Sequence, residues 1–269
     1  MNPIEVLQLE HDYKAAAAAL KKQCADRSHV DQTIDKNTLV ITPNGDITAL
    51  LIKQQIMPQI CRRAYKDWVI VNDLVDNRST AVGTTSLPRL RKDGSPGKRR
   101  GVAKNILEAH GGARQGILGH LDEPCRETPL SRRHPELLYR NEYLVTRVNR
   151  FYERYLPTPY AKQLAEIEKA SFWWRLWDTV FSTIYIAKNF RTAYHYDTGN
   201  LRGVMTALLV MGSFTGGELV LPRWRIAFAL KPGDLLFFDP QQLHGNLPFE
   251  GERLSAAFFC ARHIADCGK

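Results

Sequence analysis

Beyond Trp177 the chain breaks into short runs rich in β-branched and large apolar residues: TVFSTIYIA, GVMTALLVM, GELVLP, RIAFAL, DLLFF and RLSAAFFCA. Gly, Pro, Asn and Asp separate them at intervals of roughly ten residues, the pattern of antiparallel strands joined by turns. Strands this short and numerous close on themselves or stack as two sheets, so a sandwich or barrel is predicted for this region. With 44% hydrophobic and 24% charged residues the composition is that of a globular protein, which excludes a disordered chain, a collagen-like repeat and a coiled coil.

The first two thirds read differently. Ile4 to Cys24 carries the run Ala15 to Ala19 among Val6, Leu7, Leu9 and Leu20, which predicts a helix. A second helix is predicted over Asp46 to Trp68, with Asp46 as N-cap, Leu50, Leu51, Ile52, Ile56 and Ile60 on one face, and a kink at Pro58. His134 to Leu156 has a broad apolar face behind Pro135, and a further helix opens at Thr158–Pro159 and runs to about Lys169. FWWRLW, Phe172 to Trp177, is expected to pack between helix and barrel. No apolar run approaches the roughly 18 residues that span a bilayer. The opening MNPIEVLQLEHDYK is too acidic for a signal peptide, so an intracellular location, cytoplasmic or nuclear, is expected. Cys24, Cys61, Cys125, Cys260 and Cys267 are odd in number and scattered, and read as free thiols, with Cys125 and Cys260 as small buried residues.

The net charge is +9. Much of it gathers in one aperiodic stretch, SLPRLRKDGSPGKRRGVAK, which sets Arg89, Arg91, Lys92, Lys98, Arg99, Arg100 and Lys104 against Asp93 alone. It is predicted as a basic loop, 86–104, suited to sequence-independent phosphate contacts or else simply solvated.

Chemistry concentrates in the β region. His195 and Asp197 are two residues apart, so in an extended segment both side chains point the same way while Tyr196 points elsewhere. His244 follows the buried run DLLFFDPQQL. Two histidines and a carboxylate on one face of a metal form the facial triad of non-haem Fe(II) oxygenases, which leaves positions for a co-substrate and O2. Arg253 and Ser255, on the next run, offer a fork and a hydroxyl suited to a carboxylate such as the distal one of 2-oxoglutarate. A β-sandwich with incidental histidines accounts for none of this order, and a zinc hydrolase lacks its HExxH.

From TVFSTIYIA through AYHYDTGN to DPQQLHGN and GERLSAAFF, the sequence resembles the TET and base-J-binding-protein family of Fe(II)/2-oxoglutarate dioxygenases, as do NRSTAVG and ILGHLDEPCRET upstream. The resemblance covers about residues 70 to 265. It implies an α+β fold with a double-stranded β-helix (jelly-roll) core over 176–265 and mainly helical support over 1–175, one catalytic domain in all. It implies Fe(II), 2-oxoglutarate and O2 as cofactors, with His195, Asp197 and His244 on the metal. Arg253, with Ser255 beside it, then holds 2-oxoglutarate, and Arg126 is a second contact near the 2-oxoglutarate or the target base. Tyr185 and Asn189, on or just beyond the run before HYD, are placed to hydrogen-bond 2-oxoglutarate. The implied reaction is hydroxylation of a pyrimidine 5-methyl group, of thymine or 5-methylcytosine, in DNA; the alternative is a small molecule or free nucleoside, with the basic loop as a lid. DNA is the implied partner, with no membrane and no obligate protein partner. A flipped base needs an aromatic or apolar wall; Tyr194 and Tyr196 are the candidates for it, with Phe190 assigned to the core.

Overall fold

The computed structural model describes residues 3–69, 84–93, 95–102, 114–121 and 125–268. In the first part of the chain strands run at Glu5–Gln8 (β1), Gln32–Ile34 (β2), Thr38–Ile41 (β3), Ile47–Ile52 (β4), Thr84–Leu90 (β5), Pro96–Val102 (β6), Arg114–Leu121 (β7) and Arg126–Glu127 (β8). The rest are Thr183–Lys188 (β9), Thr206–Gly216 (β10), Leu219–Leu221 (β11), Ile226–Phe228 (β12), Leu235–Phe238 (β13), Gly245–Asn246 (β14) and Phe249–Phe259 (β15). Helices span Lys14–Ala19 (α1), Pro58–Trp68 (α2), Pro129–Arg133 (α3), Glu136–Tyr139 (α4), Glu142–Tyr155 (α5) and Pro157–Ile167 (α6).

Among the described residues, nine strands form one sheet in the order β1-β3-β4-β13-β10-β15-β9-β7-β8, and four form a second, β14-β11-β12-β2. Pairing is antiparallel except for β1 with β3 and β12 with β2. The side-chain period of two divides the core. Leu50, Ile52, Ala207, Leu209, Met211, Leu235 and Phe237 face a cluster built with Trp68, Leu144, Val148 and Tyr152 of the helices. Their neighbours Ala49, Leu51, Leu208, Val210, Leu236 and Phe238 face Leu219, Leu221, Ile226 and Phe228 of the smaller sheet. The large sheet is therefore buried on both faces at its centre, which is why its strands read as unbroken apolar runs.

That double burial corrects the reading of the first half. Asp46 caps no helix: ITALLI is β4, in register with β13 through Leu236↔Leu51 and Phe237↔Leu50. A continuous apolar run carries no period that distinguishes strand from helix. Pro58 does not kink a helix but opens one, at the position where its missing N–H costs nothing. Ile4 to Cys24 yields β1 and only the short α1, because Leu9 and the backbone of β1 are taken up by pairing with β3. The support over 1–175 thus contributes strands β1, β3, β4, β7 and β8 to the main sheet alongside its helices. His134 to Leu156 divides into α4 and α5, and α6 ends at Ile167.

The basic stretch is not a loop but a separate antiparallel hairpin of β5 and β6. Arg89 lies on β5, Lys98, Arg99 and Arg100 on β6, and Arg91 and Lys92 are exposed at the turn; Lys104 and the NRSTAVG segment lie outside the described residues. Cys125 and Cys267 are not free thiols. They form a disulfide with Cα atoms 5.5 Å apart, which sequence spacing could not reveal, while Cys24, Cys61 and Cys260 remain thiols. In FWWRLW, Leu176 is buried, but Trp173 is 82% exposed and Phe172 is also at the surface, so this segment only partly packs. No helix among the described residues is long and apolar enough to cross a membrane.

Candidate active site

Between the two sheets lies a cavity with about 140 Å³ of space open to water. Its wall is built from alternate residues of the large sheet, Tyr185 of β9, Leu208 of β10, Phe238 of β13, and Arg253, Ser255, Ala257 and Phe259 of β15. The intervening residues Leu254, Ala256 and Phe258 point the other way, into the helical core.

His195 and His244 meet in the wall of this cavity. Each donates its backbone N–H to the other's carbonyl, at 2.9 and 3.0 Å, and their rings stand 4.3 Å apart. Asp197 reaches both: Oδ1 is 3.4 Å from His195 Nε2 and Oδ2 is 3.7 Å from His244 Nε2. One ligand atom from each of the three residues lies within 4.8 Å of the others. The ring orientation is fixed from behind by the same device twice. His195 Nδ1 is 2.8 Å from the Ala193 carbonyl and His244 Nδ1 is 2.9 Å from that of Gln242. A carbonyl only accepts, so each Nδ1 carries a hydrogen and each Nε2 is the ring atom presented toward the aspartate. Asp197 is tied to the His244 loop through its N–H to Pro240 and through Gln241, whose amide donates to the Asp197 carbonyl.

Burial and charge divide the two imidazoles. Burial, with the adjacent His195, lowers His244 to about 4, so it is a neutral donor at ordinary pH. Burial also opposes the charged form of His195, but Asp197 outweighs it and the net shift is upward.

Arg253 lies along the cavity at 2% exposure, between the rings of Phe214 and Phe249, whose centroids are 5.5 and 5.6 Å from its guanidinium carbon. Its Nε is buried and has no hydrogen-bond partner among the described residues. Burial lowers it to about 10, with Glu218 acting in the opposite sense, so it is a cation at neutral pH. A buried cation with an unused donor, on a residue that lines the cavity, fits a carboxylate ligand. Ser255 shares its face and lines the same cavity.

Not all residues expected at 2-oxoglutarate are gathered there. Arg126 is exposed on β8, at the far edge of the large sheet, and does not line the cavity. Asn189 does not line it either. Its side chain donates to Glu252 at 3.1 Å and accepts the N–H of Arg253 at 2.8 Å, which makes it a brace for the Arg253 backbone. Of the aromatics, Tyr196 lines the cavity, whereas Tyr194 is buried against Ala25, Val220 and Leu243 and Phe190 is buried as expected.

Sequence reasoning missed Gly217, Asn246 and Thr192. A β-carbon on Gly217, which has φ +74°, would stand 3.0 Å from Arg253 Nε. Asn246 donates to the Gly217 carbonyl at 3.2 Å and accepts from Thr192 Oγ1 at 2.7 Å, linking the guanidinium's cradle to the segment that leads to His195. GGEL and HGN were the available signals.

The Tet_JBP family model, described as the oxygenase domain of the 2OGFeDO superfamily, matches residues 115–262. The bifunctional helicase and thymine dioxygenase JBP2 of Trypanosoma brucei brucei is 31% identical over 225 residues, covering 80% of this chain and 18% of that protein. Its counterpart from Leishmania major is 39% identical over 139 residues, covering 49% and 12%. The chain thus spans less than a fifth of the length of either relative. The solved structure of NgTET1 in complex with 5mC DNA superposes with a TM-score of 0.60 at 11% identity, over 98% of this chain and 84% of that one. That likeness is one of fold, and it identifies the two facing sheets as the double-stranded β-helix core.

Proposed function

Because this chain belongs to the Tet_JBP family of oxygenase domains in the 2OGFeDO superfamily, we propose that it is an Fe(II)/2-oxoglutarate-dependent dioxygenase that hydroxylates the 5-methyl group of thymine or 5-methylcytosine in DNA. The observation that carries the reading is the pairing, in one cavity, of a His–Asp–His cluster with a buried guanidinium that has an unused donor. The substrate class follows from the names borne by the relatives, thymine dioxygenases, and from the 5mC DNA bound in the NgTET1 structure.

In this reading Fe(II) with 2-oxoglutarate and O2 supplies the oxidising power that turns a methyl C–H into C–OH. The chain's part is positional. Nε2 of His195, Nε2 of His244 and a carboxylate oxygen of Asp197 hold the metal; Ala193 and Gln242 keep both rings in the tautomer that ligation requires. Arg253 and Ser255 receive the distal carboxylate of 2-oxoglutarate, and Tyr185 borders it. Leu208, Leu219, Phe238 and Phe259 keep water away from the reacting methyl group. Tyr196 forms part of the wall for the base. The hairpin residues Arg89, Arg91, Lys92, Lys98, Arg99 and Arg100 supply phosphate contacts. We further propose that residues 1–269 act as a single catalytic unit, supported by the register of β4 against β13.

The test incubates the protein with Fe(II), ascorbate, 2-oxoglutarate and DNA bearing thymine or 5-methylcytosine, and reads nucleosides by mass spectrometry. Hydroxymethyl bases that disappear in His195→Ala are the expected result. Succinate formed at the same rate with and without DNA, with no altered base, would sink the DNA reading.

A further inference from the structure

The irregular segment that carries His195 is flanked by a stretch from the first thirty residues of the chain. The Lys22 N–H donates to the Tyr194 carbonyl at 2.8 Å, and the Tyr194 N–H donates to the Gln23 carbonyl at 2.9 Å. Cys24 and Ala193 form the next antiparallel bridge. Arg191 reaches back to the Ala25 carbonyl at 2.6 Å, and His29 Nδ1 lies 3.2 Å from the Tyr194 hydroxyl. Leu20 and Val30 anchor the segment on the apolar cluster around Tyr194. This strap therefore has a fixed register, set by backbone pairing on one side and by apolar packing on the other.

Its tip is Lys21. The side chain is exposed and takes part in no ion pair among the described residues. Nζ stands 5.4 Å from the centroid of the Tyr196 ring, and Tyr196 lines the cavity beside His195 and Asp197. An exposed ammonium over a tyrosine gains only about 0.5–1 kcal/mol from the ring, so its charge stays available to an anion. The residues that place it, Lys22 to Ala25, precede the stretch 115–262 that matches the family.

We propose that Lys21 is a substrate-backbone contact: it takes the phosphodiester next to the nucleotide whose base enters the cavity. The proposal rests on the reading of DNA as substrate and adds to it a named residue at the rim. A base drawn between the sheets leaves its sugar and phosphate at the mouth, where a cation held over the wall aromatic pairs with the phosphate. A free nucleoside has no such group, so this contact favours the polymer over the monomer.

Fluorescence anisotropy of a labelled oligonucleotide duplex, titrated with the full chain over a series of NaCl concentrations, tests it. Loss of one phosphate contact lowers the slope of log K against log salt by about 0.9 for a duplex. Lys21→Gln should show that reduction and weaker binding on every sequence tried, while Lys21→Arg should restore the wild-type slope. Circular dichroism melts of both variants establish that the fold is intact. A slope unchanged in Lys21→Gln, with a hairpin variant lacking the charges of Lys98, Arg99 and Arg100 reduced, would overturn the proposal and leave DNA as the substrate. No binding by the wild-type chain at low salt would overturn the DNA reading itself.

Discussion

The guanidinium of Arg253 lies against the α-carbon of Gly217, so close that a β-carbon there would meet Nε at 3.0 Å. Gly217 also holds a left-handed φ of +74°, which costs a side-chain-bearing residue about 1–2 kcal/mol. Gly217→Ala should therefore strain the turn and displace the guanidinium together. The expected outcome is weaker 2-oxoglutarate binding by about tenfold, or about 1.4 kcal/mol, in calorimetry with a redox-inert metal. Affinity for that metal alone should be unchanged.

Arg253 itself separates ligand binding from stability. It is a buried charge without a full set of partners, and the fold bears its desolvation. Arg253→Met keeps the volume and removes the charge. The ligand-free variant should melt at or above the wild-type temperature, since exchanging buried charges for apolar groups can stabilise by about 1–4 kcal/mol. The rise in melting temperature on adding 2-oxoglutarate should vanish. A variant that still responded to the ligand would remove Arg253 from the site.

The bond between Cys125 and Cys267 joins residues 142 apart in sequence. A crosslink over so long a span restricts the unfolded chain and typically stabilises by about 2–4 kcal/mol. Reductant, or the double substitution to serine, should lower the melting temperature accordingly, and reductant should have no effect on the double variant.

Cys61 has the opposite character. Burial, helped by Asp234, raises its thiol from 9.0 to about 11. Between those values the unfolded chain gives up its proton first, so stability falls as pH rises through that window. Iodoacetamide at pH 9, followed by peptide mass spectrometry, should label the half-buried Cys24 and leave Cys61 unmodified. Labelling of Cys61 should begin only as pH nears 11.

Trp68 ends α2 in the centre of the helical core, fully buried, with Nε1 donating to the Leu137 carbonyl at 2.9 Å. Trp68→Ala should cost about 3–5 kcal/mol in denaturant unfolding, and Trp68→Phe a good deal less, chiefly the one hydrogen bond.

The parts of the molecule legible in the sequence were those whose signal is local. The runs after Trp177 became β9 to β13 and β15 because turn residues bracket each one. The i, i+2 spacing put Arg253 and Ser255 on one face of β15 because the period of a strand is fixed. It also anticipated the meeting of His195 and Asp197, although these stand in an irregular segment bridged from His195 to His244. What stayed hidden depended on partners distant in sequence. ITALLI looked helical because burial on both faces erases a period. Asn189 looked like a ligand contact because nothing in the sequence shows that Glu252 and the Arg253 backbone occupy its amide. Arg126 was carried over by motif, and the position of β8 at the sheet's margin sets it apart from the cavity.

The pairing of β3 and β4 beside β13 means that the stretch matched by the family model, 115–262, lacks strands that belong to the main sheet. A fragment trimmed to 115–262 would leave the strand leading to His244 as a bare edge, its N–H and C=O groups open along the side where Ala49 to Ile52 had paired. Such an edge recruits other chains. An expression fragment cut at residues 115 and 262 would be expected to aggregate before its chemistry could be assayed.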